Sequence, residues 1–93
     1  MAYRLIYSET SRQQIRSLHP EIKPIVKSRL GKPKEDPFAG HRLERELSGY
    51  RSLRAKRFRV IYRVREQDQI VEIHHVGHRK DIYQLFKESI TKD

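Results

Sequence analysis

Polar and apolar residues alternate along several short segments of this 93-residue chain, and such alternation is typical of β-strands. The first predicted strand is "YRLIYS" (residues 3–8), in which Tyr3, Leu5 and Tyr7 share one face. The second half of the chain carries three more predicted strands, at 51–55, 58–65 and 70–76. Lys56-Arg57 connects the first two of these, and a hairpin turn at 66–69 connects the last two. The segment "HRLEREL" (41–47) is ambiguous: it reads as a short strand or as an extended lead-in to the turn at 48–50.

Helical periodicity dominates the first third of the chain. Residues 9–18 are predicted as a helix with Ser8 as its N-cap, and the His19-Pro20 pair ends it, since a residue before proline avoids the helical region. Pro20 is expected to open a second helix. Its apolar stripe has helical spacing and consists of Ile22, Ile25, Val26 and Leu30. Gly31 is a natural stop, and 31–40 is predicted to be a loop because it holds two prolines and two glycines.

A last helix is predicted from Asp81 to Ile90, with its apolar side chains facing inward: Ile82, Leu85, Phe86 and Ile90. With the ambiguous segment 41–47 counted as a strand, the order of elements is β-α-α-β-β-β-β-α, an N-terminal strand and a helical hairpin followed by an antiparallel meander and a C-terminal helix. Separate runs of helices and strands indicate an α+β fold, here a single domain over residues 1–93. We expect the helices to cover one face of the sheet and to leave the other face to solvent.

The amino-acid composition indicates which classes of molecule the protein could bind and in which cellular compartment it works. Lys and Arg number 21 against 12 Asp and Glu, a formal net charge of +9, which favours a polyanionic partner such as RNA, DNA, anionic lipid or an acidic protein. The chain has no cysteine, as suits a reducing cytoplasm. No apolar run approaches the roughly 18 residues that a membrane-spanning helix needs, and the N-terminus lacks the apolar core of a signal peptide.

The alternation also predicts where part of the charge lies. In 58–65, Phe58, Val60, Tyr62 and Val64 share one face. The other face holds Arg59, Ile61, Arg63 and Arg65. If Leu53 packs with the apolar face, Arg54 lies on the same open face as Arg59. A planar guanidinium can hold two phosphate oxygens at once, and the open face is therefore interpreted as a phosphate-binding platform.

Two segments, "SGYRSLRAKRFRVIYRV" and "VGHRKDIY", resemble the RelE/ParE superfamily of toxins from type II toxin–antitoxin systems. The resemblance covers nearly the whole chain in order of elements, and its specific wording lies within about residues 47–83. It implies one of two activities. RelE-type members cut mRNA in the ribosomal A site, whereas ParE-type members poison DNA gyrase. It also implies a cognate acidic antitoxin, in a toxin–antitoxin hetero-oligomer.

RelE-type cleavage proceeds by attack of a 2′-hydroxyl on the adjacent phosphate, and it needs cations together with groups that accept and donate protons. The resemblance implies that Arg54, Arg59 and Arg79 are the cations. It also implies that Tyr83 stacks on a base and orients the substrate. Arginine replaces the lysines that family members carry on the strand 51–55, and guanidinium releases no proton near neutral pH. His78 is the candidate proton carrier, because imidazole titrates near neutrality, and Lys56, His74 and His75 are alternatives. Further contacts to RNA phosphates are expected from Arg51, Lys56, Arg63, Arg65 and Lys80.

Other interpretations of the same residues stay open. The arginines of the sheet could simply solvate an exposed face, Tyr83 could cap the core, and "HRLEREL" is more typical of surface ion pairs than of a site. Adjacent residues of a strand point to opposite faces, so His74 and His75 are not expected to share a metal, and neither a metal nor a cofactor is predicted. The functional alternatives are a ribosome-dependent endoribonuclease, a gyrase poison, and a catalytically inactive module that binds antitoxin or nucleic acid.

Overall fold

The computed structural model describes residues 2–91, and five strands form its mixed sheet. In chain order the strands are β1 (Arg4–Tyr7), β2 (His41–Arg42), β3 (Arg51–Ala55), β4 (Phe58–Arg65) and β5 (Ile70–His78). Their order across the sheet is β1-β5-β4-β3-β2. β1 runs parallel to β5, and every other neighbouring pair is antiparallel. The predicted meander is therefore present, with the N-terminal strand added along its far edge.

Four α-helices connect and flank these strands. They are α1 (Glu9–Arg16), α2 (Lys23–Arg29), α3 (Gly31–Glu35) and α4 (Ile82–Thr91), and a short 3₁₀ helix spans Arg45–Leu47. Ser8 caps α1 as predicted, because its hydroxyl accepts a hydrogen bond from the amide of Ser11. The architecture is the predicted α+β fold.

The main core lies between the α1–α2 hairpin and one face of the sheet. Val26 and Leu30 are buried there against residues from three strands, including Leu53, Val60 and Ile73. Tyr62, fully buried, donates a hydrogen bond from its hydroxyl to the carbonyl of Pro37 at 2.8 Å and accepts one from the amide of Gly40 at 2.8 Å. The helical stripe predicted for α2 is thus confirmed.

The opposite face of the sheet is not left to solvent, and that prediction was wrong. α4 crosses it, and a second apolar cluster forms from Ile61, Ile82 and Phe86, which are at most 1% exposed. The sequence hid this because Ile61 lies among the arginines of β4 and looks like an isolated apolar residue on a polar face. Burying Ile61 requires a partner from distant sequence, and α4 provides it.

Three boundaries differ from the predictions. The second helix begins at Lys23 rather than Pro20, with Pro24 in its first turn, where a missing amide hydrogen is harmless. Gly31 does not end the helical region, since it begins α3 within the predicted loop 31–40. Gly77 lies inside β5, where a side chain would come within 2.9 Å of Ile82 Cδ1, so it permits the close approach of α4.

The inward face of α4 is narrower than predicted. Ile82 and Phe86 are buried, but Leu85 is 51% exposed and Ile90 is 37% exposed. Leu85 lies to the side of the stripe formed by Ile82 and Phe86, whereas Ile90 continues that stripe into the last turn of the helix. Within the described part of the chain, no helix combines the length and apolar character needed to cross a membrane.

Candidate functional site

Six cations gather where the β3–β4 hairpin meets the connection between β5 and α4. Arg54 and Arg59 are directly paired across the two strands, on the face that α4 crosses. Lys56 and Arg57 form the hairpin tip, and Arg79 and Lys80 follow β5. We call this group the hairpin-end cluster; its members are Arg54, Lys56, Arg57, Arg59, Arg79 and Lys80.

Backbone contacts fix two members of the cluster. The guanidinium of Arg59 donates from Nη1 to the carbonyl oxygens of Lys56 and Phe58, each at 2.9 Å. Lys56 has a φ of 56°, a left-handed conformation that is unusual for a residue with a side chain. Arg59 therefore also stabilises the strained turn from which Lys56 projects. The amide of Arg79 donates to the carbonyl of Arg57 at 2.7 Å, which ties the β5–α4 connection to the hairpin tip.

Tyr83 reaches the same region from the first turn of α4. Its hydroxyl lies 2.8 Å from the hydroxyl of Ser52. Ser52 and Arg54 are two positions apart on β3, so they share a face and lie about 7 Å apart along the strand. The predicted residues Arg54, Arg59, Arg79 and Tyr83 are thereby brought to one end of one sheet face.

The hairpin-end cluster carries an unbalanced positive charge. Among residues 2–91, no carboxylate lies within 4 Å of a nitrogen of any of its side chains, and all but the half-buried Arg59 are exposed. Like charges held this close repel one another, and an anion bound between them would relieve that repulsion. The arrangement is suited to holding a phosphate and to stabilising additional negative charge on it.

Arg63 and Arg65 belong to a separate, neutralised group. Both contact Glu72, from Arg63 Nη2 at 3.0 Å and from Arg65 Nε at 2.8 Å. Partial burial raises the pKa of Glu72, but the hydrogen bond from His74 and the charges of the two arginines outweigh it, so the net pKa is lowered. Ile61, beneath α4, separates these arginines from Arg59 on the same strand. The single platform expected from the alternation is divided in two, and among residues 2–91 its hairpin end has no acidic partner whereas the Arg63–Arg65 end does.

Two predicted site residues point to the other side of the sheet. Arg51 donates to the carbonyl oxygens of Phe38 and Gly40, at 3.2 and 2.9 Å, and its guanidinium stacks on the Phe38 ring at 5.0 Å. His78 is paired with Phe58 across the strands, and their rings are in edge contact at 5.6 Å. Since Phe58 packs on the main core, His78 lies on that face and not beside Tyr83, away from the group in which it was expected to carry protons.

The expectation that His74 and His75 point to opposite faces was also wrong. A β-bulge opposite Ile61 and Tyr62 inserts one extra residue into β5 and turns both imidazole rings toward Phe86. The centre of the Phe86 ring lies 6.1 Å from that of His74 and 5.4 Å from that of His75. Burial lowers the pKa of His75, as does the nearby His74 ring, against an opposing hydrogen bond with the His74 backbone. Within residues 2–91, no three His, Cys, Asp or Glu side chains are grouped closely enough to hold a metal ion.

A second cationic surface lies on the opposite side of the molecule, and we call it the helix groove. It has a volume of about 570 Å³ and an apolar floor that includes Leu5, Ile15 and Leu30. Five cations line its sides: Arg12, Arg16, Lys23, Lys27 and Lys34. None of the groove's lining residues is acidic.

Sequence reasoning missed two residues at the hairpin end, Ser52 and Arg57. Alternation along β3 already placed Ser52 on the face of Arg54, so a polar residue at this position was a usable signal. Arg57 had no such signal, because its position beside Arg79 depends on a backbone hydrogen bond between two distant turns.

Known proteins similar to this chain are toxins of type II systems. Residues 5–83 match the family model described as the ParE toxin of the type II toxin–antitoxin system parDE. Toxin RelG from Mycobacterium tuberculosis is 34% identical over 85 residues, which cover 89% of this chain and 98% of RelG.

Two solved structures illustrate the similarity of fold. The toxin–antitoxin complex RelBE2 from Mycobacterium tuberculosis contains a chain with 31% identity and a TM-score of 0.76, covering 85% of this chain and all of that one (100%). A variant of the E. coli toxin RelE in the free state has 22% identity and a TM-score of 0.77, with 99% of this chain and 98% of that chain covered. The match over residues 5–83 and the similarity to RelG establish that this chain belongs to the RelE/ParE superfamily of type II toxins.

Proposed function

We infer that this toxin is an endoribonuclease that cleaves mRNA in the ribosomal A site. The observation that carries this proposal is the hairpin-end cluster, in which Arg54, Arg59 and Arg79 lie beside Tyr83 without an acidic partner within 4 Å among residues 2–91. An exposed group of arginines next to an aromatic ring suits one phosphate and one adjoining base of a single strand. Ribosomes and mRNA place the activity in the cytoplasm.

In this reaction the 2′-hydroxyl of one nucleotide attacks the following phosphate, leaving a 2′,3′-cyclic phosphate and a free 5′-hydroxyl. The arginines stabilise the charge that develops on the phosphate oxygens, and Tyr83 stacks on a base and orients the strand. Guanidinium groups keep their protons, so proton transfer falls to another group. His78 lies on the other face, which leaves Lys56, at the exposed hairpin tip, Lys80, or water to exchange protons with the reacting oxygens.

The proposal predicts a large effect from substitutions that leave the fold intact. Arg54→Ala and Arg79→Ala should each slow cleavage on ribosomes programmed with a defined codon by ~10²–10³-fold, because each removes a donor to the transition state. Arg29→Ala, an equally exposed arginine on α2, is the matched control and should cleave at the parental rate. Full cleavage by both hairpin-end variants would contradict the proposal.

DNA gyrase poisoning is the second candidate, and the match to the ParE toxin model favours it. The hairpin end also lacks an imidazole among its members, and a gyrase poison needs no proton carrier. Induction of the toxin in cells, followed by separate measurements of translation and of gyrase-dependent DNA supercoiling, distinguishes the two. Arrested translation with normal supercoiling supports the nuclease, and the reverse result supports the gyrase poison.

We also propose that a cognate antitoxin binds the helix groove as part of a hetero-oligomeric complex. The apolar floor and the five cations of the groove complement an amphipathic segment with acidic residues along its edges. The groove and the hairpin-end cluster lie on opposite faces of the sheet, so an antitoxin that shields both has to wrap around the toxin.

A further inference from the structure

Ser52 is an unusual residue for its surroundings. It is 6% exposed and lies on β3 directly opposite Ile61, which is fully buried. The other buried serine, Ser11, donates its hydroxyl to two backbone carbonyls, those of Ser8 and Ile73. The hydroxyl of Ser52 has one partner among the described residues, the hydroxyl of Tyr83 at 2.8 Å.

This contact is also distinctive for α4. Among residues 2–91 it is the one side-chain hydrogen bond that connects α4 to the sheet, since the other hydrogen bonds of its side chains stay within the helix. Within the described residues, the side chains of α4 make one further polar contact outside the helix, an exposed ion pair between Lys87, one turn beyond Tyr83, and Glu46 at 3.8 Å. The other contacts of α4 with the sheet are packing contacts, among them Ile82 and Phe86 with Ile61 and Phe86 with the His75 ring.

We propose that Ser52 is a positioning residue, which holds the Tyr83 hydroxyl and ring toward the hairpin-end cluster. This inference rests on the proposed nuclease function. A hydroxyl pair has two arrangements, and when Ser52 donates to Tyr83 Oη, the phenolic proton is available to an oxygen of the RNA. The tyrosine hydroxyl lies on the axis of ring rotation, so a hydrogen bond there leaves χ2 free but restricts χ1, the bond whose rotation would swing the whole ring away from the cluster. Ser52 thus acts on the reaction through Tyr83, without contact with the substrate.

The test is a double-mutant cycle between Ser52→Ala and Tyr83→Phe, read as single-turnover mRNA cleavage on ribosomes over a range of toxin concentrations. Ser52→Ala should lower the maximal rate by about tenfold, the scale of one lost hydrogen bond, and leave the half-saturating concentration unchanged. The same substitution should have no further effect in the Tyr83→Phe background, where the hydroxyl pair is already lost.

Two further variants separate positioning from folding. Ser52→Thr keeps a hydroxyl on a residue that strands accept well, and it should restore most of the rate. Gln84→Ala changes the neighbouring exposed position of α4 and should behave like the parent protein. The proposal is overturned if Ser52→Ala slows the Tyr83→Phe protein by the same factor as the parent. It is also overturned if Ser52→Ala raises the half-saturating concentration rather than lowering the maximal rate.

A measurement without RNA distinguishes this inference from the proposed function. In protein with isotope-labelled tyrosine, the Tyr83 ring signal is assigned by its absence from the Tyr83→Phe spectrum, and its order parameter is measured by NMR. Ser52→Ala should lower that order parameter, and Ser52→Thr should restore it. A ring that stays equally ordered in Ser52→Ala overturns the positioning role, whereas a parent protein that cleaves no mRNA overturns the nuclease function alone.

Discussion

Gly40 and Tyr62 show how one missing side chain sets the position of a buried ring. The amide of Gly40 donates to the Tyr62 hydroxyl at 2.8 Å, and a β-carbon at Gly40 would lie 2.5 Å from that oxygen and 2.7 Å from Cε1. Tyr62 is fully buried, and two backbone hydrogen bonds, with Gly40 and Pro37, hold its hydroxyl in place. The loop that contacts Arg51 through Phe38 and Gly40 is held in place by the same ring.

Gly40→Ala is therefore expected to lower the free energy of unfolding by about 1–3 kcal/mol, the range for overpacking a dense core. Gly31→Ala is the matched control, because no heavy atom lies within 4 Å of its added β-carbon and the residue is helical. That variant should be neutral or more stable by about 0.4–1 kcal/mol, since alanine restricts the unfolded chain. Urea unfolding measures both changes. Equal stability of the two variants would show that the loop adjusts freely.

Residue faces could be predicted from the sequence, but residue partners could not. Alternation correctly placed Arg54 and Arg59 together, because a strand obliges neighbours two apart to share a side. The same rule placed Arg63 on that face, yet its pairing with Glu72 depends on which strand lies alongside β4 and in which register. For His78, the missing information was that strand pairing continues through Gly77 and keeps its ring beside Phe58.

At the scale of elements, α4 and the bulge in β5 depend on each other. The bulge turns two consecutive imidazoles toward α4, and Phe86 covers the ring of His75, which is 8% exposed. A strand without the bulge would have turned one of the two rings into the main core. The helix was predicted from its periodicity, but the bulge is not visible in a polar–apolar pattern, because it changes the period of two by a single residue and no local signal in "IVEIHHV" marks it.

This arrangement predicts that acid weakens the fold through His75. Its pKa is lowered from the ordinary value of 6.5 in the folded protein, chiefly by burial, so the unfolded chain binds more protons. The free energy of unfolding should be constant above about pH 6.5 and should fall as the pH drops toward the folded-state value, by at most about 1.4 kcal/mol per pH unit. Glu72 does not contribute in this range, because its lowered pKa confines its effect to below 4.5.

The contribution of His75 to this pH dependence is measured by urea unfolding of the parent and of His75→Leu, compared between pH 7.5 and 5.5. His75→Leu removes the titrating ring and keeps an apolar side chain against Ile61 and Phe86, so its stability should change less with pH than that of the parent. His41→Gln, an exposed histidine of β2, should keep the parental pH dependence. The assignment to His75 fails if His75→Leu is as sensitive to acid as the parent.

At the scale of the whole molecule, the positive charge is divided between two faces with different surroundings. The hairpin-end cluster is exposed apart from the half-buried Arg59 and consists of cations, so an anion bound there is held mainly by charge. In the helix groove, five cations flank apolar side chains, so a bound segment also removes apolar surface from water. The net charge of +9 indicated a polyanionic partner without locating the charge, and the fold distributes much of it over two separate cationic surfaces.

The division predicts that charge reversal on α2 separates antitoxin binding from RNA cleavage. Lys27 lines the helix groove, whereas Arg29 lies two residues along the same helix, is exposed and is not among the groove's lining residues. Lys27→Glu should weaken binding of the co-encoded antitoxin by about tenfold or more through repulsion of its acidic residues, and Arg29→Glu should have a much smaller effect. Both variants should cleave mRNA at the parental rate, because neither residue belongs to the hairpin-end cluster. Equal loss of antitoxin affinity in the two variants would indicate general attraction to a basic protein and would remove the groove as the docking site.

The two surfaces should also differ in how strongly salt weakens binding. Affinity measured by calorimetry between about 50 and 200 mM salt should fall less steeply for the antitoxin than for RNA, since apolar contacts in the groove are not screened.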